Sequence, residues 1–374
     1  MRKILFLTGT RADFGKLKSL IRVCVNSGLF DVHIFATGMH MQHQYGITVK
    51  EIEKSGFSNI FKFINFTSET TMDLTLAKTI DGLSSFIKEE TPDMIIVHGD
   101  RVEALAGAIV GALNNILVGH IEGGEVSGTV DEIIRHSVSK MSHIHFVANE
   151  LAKKRLIQMG ELENQVFVIG SPDIDIMFSE GLPDIVESKN YYDIEFEDFA
   201  ILMFHPVTTE NHQLPKIVQE LIATISSDSN NYIIIYPNND LGSSQILEGY
   251  ETLRGNPRVK IFPSIRFEYF LVLLKHAKFL IGNSSAGIRE APYYGIPSIN
   301  IGTRQNNRAY GPSIIQSSYE RSDIISAIKN AEQTEIKIGQ QDFGNGSSDV
   351  KFLEILKDDQ TWEISCQKLF NDLI

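Results

Sequence analysis

Cysteine is nearly absent: the 374-residue chain carries only Cys24 and Cys366, and a single tryptophan. Two cysteines build neither a disulfide framework nor a four-cysteine zinc site. Both read as small buried hydrophobes inside helices. An excess of positive charge is also missing, since 34 Lys+Arg stand against 47 Asp+Glu for a balance of −13. That excludes a general nucleic-acid binder, whose affinity rests on a cationic footprint, though a basic groove could still sit on an acidic surface. No apolar run is long enough for a membrane. The longest uncharged stretch, residues 104–121, is broken by Gly107, Gly111, Asn114 and Asn115, and reads as a buried helix followed by a strand. The opening MRKILFLTGT starts like a signal peptide, but its apolar run is short and flows into TGTRADFGK without a small-residue cleavage site. The expected compartment is the cytoplasm, with no membrane partner. The histidines His98, His120, His136, His143 and His145 have no HExxH spacing, so neither a metal nor another cofactor is expected.

What is present is an ordinary globular composition, 43% hydrophobic and 22% charged, in a chain long enough for two cores. The first half alternates short β-rich runs with helix-spaced apolar patterns. Strands are expected at 4–7, 32–36, 94–97, 117–121, 144–147 and 166–169. Helices are expected at 16–25, 75–87, 102–113, 131–141 and 150–159. Such βαβ repetition means a parallel sheet with helices on both faces. Residues 182–198 are acidic and aperiodic and read as a linker. The pattern then restarts, with strands at 200–204, 232–236, 260–262, 279–281 and 298–301, and helices at 214–225, 244–253, 269–277 and 286–294. Residues 344–348 look flexible by composition, and 352–373 read as one or two closing helices. The expected division is an N-terminal domain over 1–180, a linker over 181–198, a C-terminal domain over 199–350 and a helical tail over 351–374 that packs back on the first domain. Two doubly wound domains in tandem are expected to face each other across a cleft, with ligands at the strand C-termini.

Polar residues cluster at those strand ends. Thr8-Gly9-Thr10-Arg11 opens a helix, so its amides and Arg11 could hold phosphate, or form an ordinary loop with a surface arginine. Asp100, in His98-Gly99-Asp100-Arg101, reads either as a helix N-cap or as a functional carboxylate. Asp131 and Arg135, four residues apart, read either as a surface pair or as part of a site. With Glu122 they would bring three carboxylates to one sheet edge. His205 follows a strand and reads as a structural hydrogen-bonder or a catalyst. Asn238 lies in Pro237-Asn238-Asn239-Asp240. Residues 281–290, IGNSSAGIRE, turn from strand to helix, aim Ser284, Ser285 and nearby amides at an anion, and place Glu290 where a ribose diol could be held. Arg304 adds a cation after the next strand.

Together TGTRADFGK, HGDRVEALAG, HIEGGEVSGTVDEIIRHSVSK, FHPVTTE, YPNND and GNSSAGIREAPYYGIPSINIGTR resemble the hydrolysing UDP-N-acetylglucosamine 2-epimerases of bacterial sialic acid biosynthesis. The resemblance runs through essentially the whole chain. It implies a GT-B fold, a UDP-sugar as partner, a homodimer or homotetramer, and conversion of UDP-N-acetylglucosamine to N-acetylmannosamine and UDP. It matches Asp100, Glu122 and Asp131 to catalytic acidic positions, with Arg135 as partner of the last. Arg11 and Arg101 match positions holding phosphate or sugar, and His205 an active-site histidine near the diphosphate, read here as a protonated stabiliser. Ser284 and Ser285 match diphosphate ligands, Glu290 a ribose ligand, and Asn238 and Arg304 nucleotide contacts. One departure is Gly15, where some relatives carry a serine. Rival expectations are the same reaction on a UDP-2,4-diacetamido-2,4,6-trideoxy sugar, a non-hydrolysing 2-epimerase, a GT-B glycosyltransferase and a non-catalytic nucleotide-sugar sensor.

Overall fold

The first strand shows why this sheet must be covered twice. In Arg2–Thr8 (β1), residues Ile4, Leu5, Phe6 and Leu7 are all buried. Ile4 and Phe6 join one core with Leu17, Leu20 and Ile21. Leu5 and Leu7 point the other way and join Leu83, Val110 and Val138. A strand apolar at every position belongs to a parallel sheet sheathed by helices. The computed structural model describes residues 1–66, 71–127, 129–306, 308, 311–334, 336 and 343–372. Among them the first sheet comprises β1, Phe30–Ala36 (β2), Ile60–Lys62 (β3), Met94–His98 (β4), Leu117–Ile121 (β5), Ile144–Val147 (β6) and Val166–Val168 (β7). Their order is β3-β2-β1-β4-β5-β6-β7, parallel throughout.

The second sheet repeats the plan. Ala200–Met203 (β8), Tyr232–Ile235 (β9), Val259–Phe262 (β10), Leu280–Gly282 (β11), Ser298–Ile301 (β12) and Ile314–Ser317 (β13) run in the order β10-β9-β8-β11-β12-β13, again parallel. The expected pair of Rossmann-like α/β domains is what the chain forms. Each sheet has one point where the strand order reverses, between β1 and β4 and between β8 and β11. Connections leaving adjacent strands there diverge to opposite faces and open a crevice at the carboxyl ends, which is where doubly wound sheets hold ligands.

The chain divides into two compact units, Met1–Glu125 with Asp131–Ser179 and Asp342–Ile374, and Val126–Val130 with Glu180–Gln341. The segment read as a bare linker carries a helix, Ile185–Tyr191, capped by Asp184 and packed through Tyr191 against Tyr269 of the second unit. At the end of 344–348 a helix begins. Ser348 starts the helix Ser348–Lys357, and its N–H and Oγ–H both donate to the Asp175 carboxyl. That helix lies in the first unit, where Phe352 is fully buried against Phe6 and Phe146. The expected closing helices end at Asp359–Trp362, and Leu373 lies outside the described residues. Cys24 is buried in the helix Arg11–Ser27 as expected. Cys366 is not helical: it is half-buried, its Sγ–H donating to the Asn115 carbonyl.

Among the described residues, no helix is long and apolar enough to cross a membrane. No group of three or more His, Cys, Asp or Glu among them could hold a metal ion.

Candidate active site

In the first unit the site grows from the turns after β1, β4 and β5. Thr10 caps the helix Arg11–Ser27: its hydroxyl accepts from the Asp13 N–H, and the Asp13 side chain returns the bond, closing a capping box. Asp13 does more than cap. Its Oδ2 accepts from the Gly9 N–H at 2.7 Å and from the Thr8 hydroxyl at 3.1 Å. Burial pushes its carboxyl above the ordinary aspartate range, although His98 and these donors pull the other way. Arg11 is not a bare surface cation, because it pairs with Glu51 at 3.5 Å with a side chain only 16% exposed.

Glu122 follows β5 with φ at +62°, a left-handed conformation that a non-glycine residue holds at a cost of about 1–3 kcal/mol. The turn is fixed by its contacts. Ser171 Oγ–H donates to Glu122 Oε1 at 2.6 Å, and Lys16 Nζ lies 3.3 Å from the same oxygen. Lys16 also reaches Asp173 Oδ2 at 3.4 Å, so one buried ammonium serves two buried carboxylates. The Arg135 guanidinium donates through Nη1 to the Glu122 backbone carbonyl at 2.6 Å, and through Nη2 to the Asp100 carboxylate. A single arginine therefore links the Asp100 carboxylate to the Glu122 backbone.

These contacts overturn the bland readings of three residues. Asp100 is not an N-cap: Arg101 occupies that position at the helix Val102–Leu113, without a side-chain capping bond. Asp131 and Arg135 are not a surface pair, being 7% and 2% exposed at the start of the helix Asp131–Met141. Arg135 thus joins Asp100 to the Glu122 backbone, and Asp131 lies one turn before it on the same helix. His120 is buried, with Nε2 2.9 Å from the Gly99 carbonyl and Nδ1 3.1 Å from Ser139 Oγ. Burial holds its pKa down to about 3, so the ring is neutral.

In the second unit Asn283, in the turn after β11, ties the turns after β8 and β12 to its own. The Asn283 carboxamide accepts from the His205 N–H at 2.7 Å and donates to the His205 carbonyl at 2.8 Å. Its own carbonyl accepts from Gln305 Nε2 at 2.7 Å and from Arg304 Nη1 at 3.2 Å. Gly282, just before it, has φ at +134°, and a Cβ there would lie 2.0 Å from the Met203 carbonyl oxygen, so only glycine fits. The Asn238 N–H donates to His205 Nδ1 at 3.0 Å. With Nδ1 accepting, the ring carries its proton on Nε2 and is neutral. The expected protonated His205 is corrected on that ground: it is a neutral Nε2–H donor.

A helix over 286–294 does not form. Two short 3-10 turns, Ser285–Gly287 and Ala291–Tyr294, replace it. Pro292 lacks an N–H, and Gly295 ends the second turn in a left-handed conformation. Ser284 caps the first turn, accepting from the Ala286 N–H at 3.3 Å. Ser284 and Ser285 therefore offer hydroxyls and turn amides without a long helix behind them. Glu290 lies between the turns, 3% exposed. It helps burial push the Tyr294 hydroxyl above its ordinary range. A second clasp joins Glu210 to Thr303 Oγ1 at 2.6 Å and to the Tyr319 hydroxyl at 2.5 Å, pinning the turn that carries Arg304.

Several of these residues were not marked by the sequence reading: Asp13, Lys16, His98, Ser171, Asp173, Asn283, Gln305 and Glu210. Asp13, Lys16 and His98 sit inside quoted motifs, and Ser171-Pro172-Asp173 carries a helix-start signal at Pro172–Met177. Those were the available cues.

Comparison with known proteins fits this arrangement. The family model described as UDP-N-acetylglucosamine 2-epimerase matches residues 23–357. The chain is 50% identical to the UDP-N-acetylglucosamine 2-epimerase of Neisseria meningitidis serogroup B, over all of both chains. It is 34% identical to the UDP-N,N'-diacetylbacillosamine 2-epimerase (hydrolyzing) of Legionella pneumophila, over 96% of each. It is 35% identical to the polysialic acid biosynthesis protein P7 of Escherichia coli, over 90% of this chain and 87% of that one. Its fold matches the Methanocaldococcus jannaschii UDP-GlcNAc 2-epimerase crystallised with UDP-GlcNAc and UDP, with TM-score 0.78 and 24% identity over 96% and 99% of the two chains. Half identity over the full length, with a family model spanning both sheets, places the chain in the UDP-N-acetylglucosamine 2-epimerase family.

Proposed function

We propose that the protein is a hydrolysing UDP-N-acetylglucosamine 2-epimerase that yields N-acetylmannosamine and UDP as the first step of sialic acid biosynthesis. The observation that carries the reading is the Arg135 clamp, which holds Asp100 and the Glu122 backbone at the C-terminal ends of β4 and β5 with Asp131 on the same helix as the arginine. Names of relatives support the hydrolysing mode and the pathway: one is called hydrolyzing, and another takes part in polysialic acid biosynthesis.

The chemical problem is a C2–H bond with no adjacent carbonyl to acidify it. As UDP departs, C1 takes on oxocarbenium character and C2–H becomes acidic. In the α-linked gluco sugar the C1–O and C2–H bonds are antiperiplanar, so anti elimination gives UDP and 2-acetamidoglucal. Water then adds across the double bond and a proton reaches C2 from the opposite face, giving the manno configuration. Asp100, Glu122 and Asp131 share among them the roles of general base, general acid and oxocarbenium stabiliser. Arg11 and Arg101 hold phosphate or sugar. Neutral His205 donates from Nε2, and Ser284, Ser285 and Arg304 complete the donor set for the leaving diphosphate. Preorganised donors of this kind are each worth about 3–4 kcal/mol in a transition state. Glu290 holds the ribose, and Asn238 acts through its backbone, orienting His205.

Incubation with UDP-N-acetylglucosamine alone, followed by NMR, tests the reading. Free N-acetylmannosamine with stoichiometric UDP is expected. UDP-N-acetylmannosamine would instead show the non-hydrolysing reaction, and intact substrate a binding protein. The Legionella relative's name favours one second reading, the same reaction on a UDP-2,4-diacetamido-2,4,6-trideoxy sugar. Comparing kcat/KM on the two sugars decides between them.

A further inference from the structure

Two buried polar atoms of the first unit have no hydrogen-bond partner: Asp13 Oδ1 and His98 Nε2. Unpaired buried groups are rare in folded proteins and call for a reason. His98 ends β4, with a side chain 9% exposed. Its Nδ1 lies 3.9 Å from Asp13 Oδ1, and its Nε2 lies 3.3 Å from Glu122 Oε2 without the alignment of a hydrogen bond. The imidazole therefore stands between two carboxyl groups, one nitrogen toward each. Asp13 Oδ2 is already occupied by the Gly9 N–H, the Thr8 hydroxyl and the Thr10 N–H. Oδ1 is left as the open oxygen.

We propose that His98 relays a proton from Glu122 to Asp13, clearing the Glu122 carboxyl between elimination and the next turnover. This rests on the elimination chemistry above. Glu122 Oε2 takes the C2 proton while the C2–H electron pair becomes the C1–C2 π bond and the C1–O pair leaves with UDP. Glu122 then passes its proton to the bare Nε2 of His98, and the proton on Nδ1 moves to Asp13 Oδ1. Glu122 is again a carboxylate, His98 is neutral with its proton on Nε2, and Asp13 holds the proton. Asp13 Oδ1 then gives the proton to solvent water, and His98 regains its starting tautomer by exchanging the Nε2 proton for one on Nδ1 through water. The proton released is the one net proton of the hydrolysis, since the UDP terminal phosphate leaves ionised above its second ionisation near pH ~6. Asp13 is suited to hold that proton, since burial raises its carboxyl pKa.

The test uses the full-length protein, UDP-N-acetylglucosamine and three variants, H98Q, D13N and the double H98Q/D13N. In H98Q the relay predicts UDP affinity by titration within about 2-fold of the parent and a normal first-turnover burst of UDP release. Steady-state kcat falls more than about 10²-fold, the usual scale for acid–base groups. Added imidazole restores part of it by carrying the proton in place of the ring. D13N behaves alike, and the double variant is no slower than the worse single, because both remove links of one chain. Near-parental steady-state turnover in H98Q overturns the relay, as does a burst lost in proportion to kcat with no response to imidazole, or multiplying losses in the double. Should H98Q not fold, as thermal melting would show, D13N alone gives the same burst and steady-state comparison. A parent that releases no UDP would instead sink the functional reading itself, an outcome distinct from an active parent matched by H98Q.

Discussion

The backbone amide of Asn238 donates to His205 Nδ1 at 3.0 Å and so decides which nitrogen of the ring carries the proton. Nε2–H is left as a neutral donor. His205→Ala should therefore lose more than about 10²-fold in kcat. His205→Gln, whose amide can place a donor near the Nε2 position, should retain more activity than His205→Asn, which is too short. Steady-state kinetics on the three variants checks the order, and equal losses would remove the donor role.

Asp131→Asn keeps the shape of the residue and removes its acid–base capacity. A loss of more than about 10²-fold in kcat is expected, with UDP affinity unchanged by calorimetric titration. The same holds for Asp100→Asn, with one difference: Arg135 then loses its carboxylate partner. That variant should also show a lower melting temperature, which Asp131→Asn need not share.

Lys16 is 9% exposed, and its ammonium faces Glu122 and Asp173, themselves 4% and 0% exposed. Breaking a buried ion pair from one side leaves charge uncompensated and typically costs about 3–5 kcal/mol. Lys16→Met should therefore shift the urea unfolding midpoint downward by that equivalent. Adding Asp173→Asn to it should recover part of the loss, since one of the stranded charges is removed. A midpoint unchanged in Lys16→Met would mean the pair is not held in solution.

Acid should unfold the protein through its neutral histidines. Burial lowers His40 and His120 from 6.5 to about 3, with the Arg11 charge adding to the effect at His40. The unfolded chain takes up these protons near pH 6.5 and the folded one does not until about pH 3. Stability is thus fully present above pH 6.5 and declines progressively on acidification toward pH 3. Melting temperatures measured from pH 7.5 to 4.5 should fall. The slope should be shallower in His120→Asn, which carries no such proton linkage.

Much of the architecture was legible because parallel strands buried on both faces must be apolar throughout. Residues 117–121, 144–147 and 298–301 read as strands, and form them with those bounds. Ile60–Lys62 did not stand out, being three residues long at a sheet edge and largely exposed. Residues 286–294 looked helical because small and apolar residues alternate there with polar ones, but Pro292 and Gly295 break the run into single turns. At the site, the motifs drew attention to Asp100, Glu122, Asp131 and Arg135, and in the structure Arg135 bonds both Asp100 and the Glu122 carbonyl. The Lys16–Glu122–Asp173 contacts were hidden because the partners are far apart in sequence and nothing local announces a buried cation. The protonation of His205 was beyond sequence reading, since it depends on a backbone amide thirty-three positions away.

The helix Ser348–Lys357 closes the first unit with Phe352 against Phe6 and Phe146, partners far from it in sequence. A growing chain emerges from the ribosome amino end first, and domains ordinarily fold as they appear. Here the sheet made earlier must wait, with part of its greasy surface uncovered, until Ser348–Lys357 has been translated. The later-made sheet already has its strands and its helix Arg321–Gln333 in hand by then. A nonsense codon just before Ser348 would therefore cripple the half of the molecule synthesised first.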